Sequence, residues 1–448
     1  MSAGFEQWLD QQYRRSAAAM LVSVSPVAIT KSRPGFGQTI HPVKGAVIAS
    51  PVLADWKPDP DYFFHWFRDS AVVMDAIRLL FEAGDLGTQA VNHFADFVRF
   101  SLDLQSLDGR KLVADSGWRA QVKPDFVQYL RADADLSAVH GDVVVAETRV
   151  NPDGTLDISS WSRPQHDGPP LRALSVLRWM RVHSFDAELR TLVSKLVRSD
   201  LAFTFAHWRE PSFDIWEEES GQHYYTLCVS AAALREGADW LEDAGEPALA
   251  RAYSAESQII TSLLDGYWLP EAGHYRSRVL ASGKQSAKEL DIAVILAAIH
   301  ALGDGPTHTV RDPHMHATLQ RLEDLFDAAY PINLRRPVDR APAMGRYPGD
   351  VYFSGGAYYF SSLGAAEFCY LAAAQNQQAS AWISKGDAFL ATVREYTPEN
   401  GELSEQFDQR TGAQTSAKHL AWSYAAFISC VAARRVVAGA GTRTVSTR

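Results

Sequence analysis

The chain has 448 residues, 46% hydrophobic and 21% charged, with a net charge of −10 at pH 7 and a pI of about 5.8. This is ordinary globular composition and ample for a large core. No basic stripe stands out, which argues against nucleic acid as a partner, and no apolar run is long enough to span a bilayer.

The N-terminus reads Met1-Ser2-Ala3-Gly4-Phe5-Glu6-Gln7-Trp8 and lacks a basic region followed by an apolar core, so no signal peptide is expected. Apolar residues then recur at helical spacing, with little strand-like alternation. Val73, Ile77, Leu80 and Phe81 form one apolar face behind Asp69-Ser70, which can cap a helix, and that face ends at Gly84. Reading on in this way predicts about twelve helices, over 5–22, 69–84, 87–105, 169–182, 185–208, 222–243, 246–267, 285–301, 313–330, 357–377, 379–397 and 418–438. Short strands and a turn are expected near 110–160, at Val143-Val144-Val145 and Asn151-Pro152-Asp153-Gly154. Cys228, Cys369 and Cys430 fall in apolar helical stretches. Their odd number and wide spacing predict neither a disulfide framework nor a zinc site, and they point to a reducing cytoplasm.

Even-numbered helices are followed by short links such as Ala244-Gly245, and odd-numbered ones by long loops rich in Trp, Tyr, Gly, Pro and charge. Short links make neighbours antiparallel. If all the helices alternate, every long loop lies at one end, and the chain closes into two concentric rings, an (α/α)6 barrel. The expected organisation is a single all-α barrel domain over 1–438, an irregular insertion near 110–160 and a flexible tail over 439–448.

Every segment with chemical character falls on those same-end loops. The first carries Tyr62-Phe63-Phe64-His65-Trp66-Phe67-Arg68-Asp69-Ser70. Arg68 and Asp69 can donate to and accept from vicinal hydroxyls while Tyr62 and Trp66 lie against a sugar ring. A helix cap beside a core aromatic cluster is the plainer reading. The second carries Trp161-Ser162-Arg163-Pro164-Gln165-His166-Asp167-Gly168-Pro169-Pro170, where a proline suits the first helical turn and Trp161 suits a lid or platform for a ring. The third is Phe213-Asp214-Ile215-Trp216-Glu217-Glu218-Glu219-Ser220-Gly221. Three acids beside a large ring can hold one carboxyl protonated for general acid work, or they can be a solvated run at a helix start. The fifth carries Gly345-Arg346-Tyr347-Pro348-Gly349-Asp350-Val351-Tyr352, and the sixth Leu403-Ser404-Glu405-Gln406-Phe407-Asp408 before Trp422. Glu405 shares its end of the barrel with Glu217, and two carboxyls flanking one pocket are the equipment of glycoside hydrolysis. His65, His166, His223 and His419 show no ligand spacing, so no metal is inferred, and no phosphate loop or nucleophile elbow is present. No cofactor is expected.

In order, the blocks YFFHWFRDS, SWSRPQHDGPPLRA, FDIWEEESG, GRYPGDVY, LSEQFDQRTG and SAKHLAWSYAA resemble glycoside hydrolase family 15, the glucoamylase family, across residues 5 to 436. The resemblance implies inverting, exo-acting release of β-glucose from the non-reducing ends of α-gluco-oligosaccharides. It implies Glu217 as general acid and Glu405 as general base. Glu218 and Glu219 would keep Glu217 protonated by repulsion. Arg68 and Asp69 would hold the terminal glucose, with Tyr62 and Trp66 near that sugar. It further implies Trp161 packed beside the acid, Glu218 and Arg346 around the scissile bond and leaving sugar, and Trp216 and Trp422 as pocket walls. Two positions depart from the fungal pattern: Gly349 stands where an acid is common, and Gly356-Ala357-Tyr358 where Asn-Pro-Trp is common. Linkage preference therefore stays open between α-1,4 and α-1,6, with trehalose cleavage and a non-catalytic glucan-binding role as alternatives. Short soluble oligosaccharides are expected, since no starch-binding module follows the last helix.

Overall fold

The computed structural model describes residues 3–55, 57–375 and 379–445. Among these, twelve helices have nine residues or more: α1 (Ala3–Leu21), α2 (Phe67–Glu82), α3 (Thr88–Leu104), α4 (Gly168–Val182), α5 (Ala187–His207), α6 (Tyr224–Asp243), α7 (Pro247–Asp265), α8 (Ala293–Ala301), α9 (Pro313–Ala329), α10 (Tyr359–Gln375), α11 (Ala379–Tyr396) and α12 (Ala421–Val445). The even helices touch in the cycle α2, α4, α6, α8, α10, α12 and back to α2, and each odd helix packs outside an even one. This is the (α/α)6 barrel that the loop alternation predicts.

Burial follows ring position. In α4 every residue from Gly168 to Leu177 is buried, and in α10 every residue from Tyr359 to Tyr370. Helices apolar all round belong between other helices. Outer α7 instead buries Ala250, Tyr253, Ser257, Ile260 and Leu264, the three-and-four spacing of a single stripe. Because each long loop runs from an outer helix to the next inner one, the inner helices start at the end where those loops gather. Their free N–H groups and positive dipole ends point that way. No helix among the described residues is long and apolar enough to cross a membrane.

Four local readings change. Helix α8 begins at Ala293 rather than 285, just after a turn in which Asp291 Oδ1 accepts the Ala293 N–H at 2.8 Å, and the preceding stretch runs out to the loop cluster. Helix α2 begins at Phe67, so Asp69 lies within the first turn instead of capping it. Val143–Val145 form no strand. They lie in a 3-10 turn, Gly141–Ala146, where Val144 packs on Val139 and Leu156, and Val145 on Phe203. A β-branched triplet without a partner strand gains more from this burial than from extension. Residues 439–445, expected as tail, continue α12, while 446–448 lie outside the described residues. The expected short strand and turn lie further on, at Arg149–Val150, paired with His65–Trp66, and at 151–154, while the rest of the insertion is short helices, Gly109–Ala114 and Asp133–Ser137, and 3-10 turns, Ser116–Gln121 and Pro124–Tyr129.

Candidate active site

One pocket of about 680 Å³ opens at the loop end and gathers all the residues singled out from the sequence: Tyr62, Trp66, Arg68, Asp69, Trp161, Trp216, Glu217, Glu218, Arg346, Glu405 and Trp422. They come from loops or first turns at five of the six inner helices, so the barrel must close before the pocket exists. Trp216, Phe360 and Trp422 lie nearly parallel where the inner helices begin; Phe360 and Trp422 are 4.5 Å apart at 10°. Their faces give the inner end of the pocket an apolar wall.

The glutamate triplet is a turn, not a helix start. It joins the paired strands Ser212–Phe213 and Ser220–His223. Asp214 organises this turn. Its Oδ1 accepts the N–H groups of Glu218 and Glu219, each at 2.8 Å, and its carbonyl accepts the Glu217 N–H at 2.8 Å. Glu217 sits at φ 65°, the left-handed region that a β-carbon disfavours. The kink separates its side chain from its neighbours. Glu217 Oε1 accepts from Trp66 Nε1 at 2.7 Å and from Arg68 Nη2 at 3.1 Å, and Oε2 accepts from Trp161 Nε1.

The two flanking acids each have their own partners. Glu218 is bonded by Arg346 at 3.1 Å, Lys288 at 2.6 Å and Tyr347 at 2.5 Å. Glu219 is bonded by Arg278 at 2.9 Å and Ser286 at 2.7 Å. Glu217 in turn repels Asp69 and Asp167.

Glu405 is buried on the opposite strand system. Tyr62 Oη donates to its Oε1 at 3.4 Å and Ser416 Oγ to its Oε2. Burial pushes the Glu405 carboxyl up to about 7, with Asp69 adding repulsion, against the opposing Ser416 bond, Arg346 charge and Tyr62 bond. Arg68 reaches Asp167 at 3.2 Å, Asp69 at 3.4 Å and Glu217. Asp69 is pushed up to about 6, chiefly by burial, then by Glu217 and Asp167 against the pull of Arg68. Its Oδ2 is fully buried and faces Arg68 Nη2 at 3.4 Å. Arg346 grips Asp350 with two bonds of 2.7 Å, which fixes the guanidinium beside Glu218. Tyr358 is turned away from the pocket, bonding Asp350 at 3.2 Å and Gln406 at 2.7 Å.

Sequence reasoning missed the layer beneath. Arg278, from the fourth long loop, pairs with Asp214 at 3.3 Å and with Asp291, and Asp291 accepts the Trp216 indole N–H at 2.8 Å. Ser416, Tyr352 and Phe360 also touch or line the pocket without having been singled out. Of the histidines, His65 is fully buried, with Nδ1 accepting the Val47 N–H at 3.0 Å, and is structural.

The profile of glycosyl hydrolases family 15 matches residues 36–106, 145–385 and 376–432. The chain belongs to glycosyl hydrolase family 15. It is 28% identical to the probable glucoamylase of Schizosaccharomyces pombe, over 98% of this chain and 93% of that one. The solved structure of Hormoconis resinae glucoamylase aligns with a TM-score of 0.77 at 26% identity, covering 96% of this chain and 73% of that one. The glucoamylase from Saccharomycopsis fibuligera shares the fold, with a TM-score of 0.76 over 97% of this chain and 96% of that one. The family member described here is thus a glycoside hydrolase of the glucoamylase type, and its matched segments skip 107–144.

Proposed function

We propose that this enzyme releases β-glucose from the non-reducing ends of short α-glucans by single displacement. The observation that carries the reading is that Glu217 and Glu405 face one pocket, with Arg68 and Asp69 beside them. The Arg68–Asp69 pair suits the hydroxyls of a terminal glucose, and Tyr62 and Trp66 suit its ring. Glu217, as general acid, protonates the glycosidic oxygen. Glu405, as general base, takes a proton from water on the other face, which requires carboxyls about 6.5–9.5 Å apart. Trp161 steadies the acid, Glu218 and Arg346 border the leaving sugar, and Trp216 and Trp422 wall the pocket. Three buried free cysteines fit a reducing cytoplasm as its location.

The test is the anomer released at early times, followed by NMR on maltose. β-Glucose is expected. α-Glucose would make Glu405 a nucleophile and overturn the mechanism.

Linkage stays open between α-1,4 and α-1,6, because Gly349 stands exposed outside the pocket lining, where an acid is common in the family. Comparing kcat/KM on maltose, maltotriose, isomaltose and trehalose decides linkage. Turnover of trehalose alone would contradict this reading of the leaving-group side.

A further inference from the structure

Residues 107–144, outside the family's matched segments, are not a remote decoration. Their backbone is laid along the wall that carries Trp161. The Ser160 N–H donates to the Tyr129 carbonyl at 2.6 Å, and the Arg131 N–H to the Ile158 carbonyl at 2.9 Å. The Arg131 side chain is buried and holds Glu147 by two bonds, 2.8 and 3.1 Å. Glu147 holds Arg163 at 2.8 Å, Arg163 holds Asp157 at 2.9 Å, and Asp157 holds Arg149 at 2.9 Å. The Arg149 guanidinium lies 3.7 Å from the centre of the Trp161 ring. The insertion and the indole that bonds Glu217 are therefore parts of one buried charge network.

From this network one acid reaches the pocket. Asp135, in the short helix Asp133–Ser137, lines the cavity with Ser160, Trp161 and Arg163. Its Oδ2 accepts from Arg131 Nε at 2.8 Å, its side chain is 51% exposed, and among the described residues nothing bonds its Oδ1. Half of the carboxylate is fixed and half is free, which suits an acceptor that must be aimed before a ligand arrives.

We propose that Asp135 is a specificity residue supplied by the insertion, accepting a hydrogen bond from a hydroxyl of the leaving sugar. The assignment rests on the function proposed above, in which Glu217, bonded by Trp161, protonates the oxygen of the leaving sugar. Asp135 takes no part in proton transfer.

The test uses the full chain with Asp135→Ala and Asp135→Asn, on maltose and on α-glucosyl fluoride, whose leaving group carries no hydroxyl. The ratio of kcat/KM for maltose to that for the fluoride should fall about tenfold in Asp135→Ala, the worth of one hydrogen bond to a charged acceptor. Asp135→Asn keeps an acceptor oxygen and should lose less. An unchanged ratio in both variants, or equal losses on both substrates, overturns the assignment and leaves the hydrolase reading intact. A wild-type enzyme inert on both substrates overturns the function and this assignment together.

Discussion

Glu217 takes its hydrogen bonds from nitrogen, two indoles and a guanidinium, whereas Glu405 takes its bonds from two hydroxyls. The difference matters because indole and guanidinium can only donate, while a hydroxyl can donate or accept. The donors around Glu217 bond best to a carboxylate, so they strengthen as it gives up its proton. The hydroxyls at Glu405 can turn to serve either protonation state, which suits the proposed base. Under the proposed mechanism the two carboxyls are thus prepared for opposite traffic by the kind of donor beside them.

The largest expected effect breaks the Glu217 half of this contrast. Glu217→Gln keeps the size of the side chain but removes its transferable proton, so kcat on maltose should fall by ~10²–10⁴ with the thermal midpoint retained. Near-normal turnover would remove Glu217 from the acid role.

Arg278→Met attacks the layer under the same turn. It leaves Asp214, Glu219 and Asp291 without their shared buried cation. Breaking a buried pair from one side costs roughly 3–5 kcal/mol, so denaturant unfolding should show a large loss of stability. A loss under about 1 kcal/mol, the scale of an exposed pair, would mean the network is not what holds the turn.

The Glu405 half is sharpened by pH. With its carboxyl pushed up to about 7, Glu405 is protonated below that pH, and in the proposed base role this makes kcat/KM decline as pH falls through about 7. Ser416→Ala removes a bond that opposes the shift, so this limb should move to higher pH. A limb that stays in place would show that Ser416 does not tune the base.

The stability consequence has the opposite sign to the usual salt-bridged acid. The folded form of a raised carboxyl holds its proton more tightly than the unfolded form, so its contribution to stability is lost as pH rises from about 4 to about 7. Glu405→Gln should therefore raise the thermal midpoint at pH 8 more than at pH 4, while activity disappears. Equal shifts at the two pH values would show that burial does not penalise the Glu405 charge.

How much of this could be read from the chain follows from what each feature depends on. The barrel was legible because short links alternate with long aromatic and charged loops, which sets neighbouring helices antiparallel with the long loops at one end. The pocket residues were legible because they cluster in short aromatic and charged blocks at the starts of inner helices. Arg278 and Asp291 were not, since each is one charge in an otherwise plain loop and their pairing exists only once the barrel closes. The orientation of Glu217 was hidden for a related reason: three adjacent acids read as mutual repulsion, but the Asp214 turn sends them to three different partners. The valine triplet misled because β-branching records a preference for burial as much as for extension.

The stack of Trp216, Phe360 and Trp422 across the inner end of the pocket has a consequence for the order of events. On the proposed function, glucose freed against those rings leaves by the opening through which the substrate entered. The leaving sugar then occupies that route and departs first. Free glucose from solution can then refill the inner position and compete with the next chain end, so accumulating product should slow the enzyme competitively.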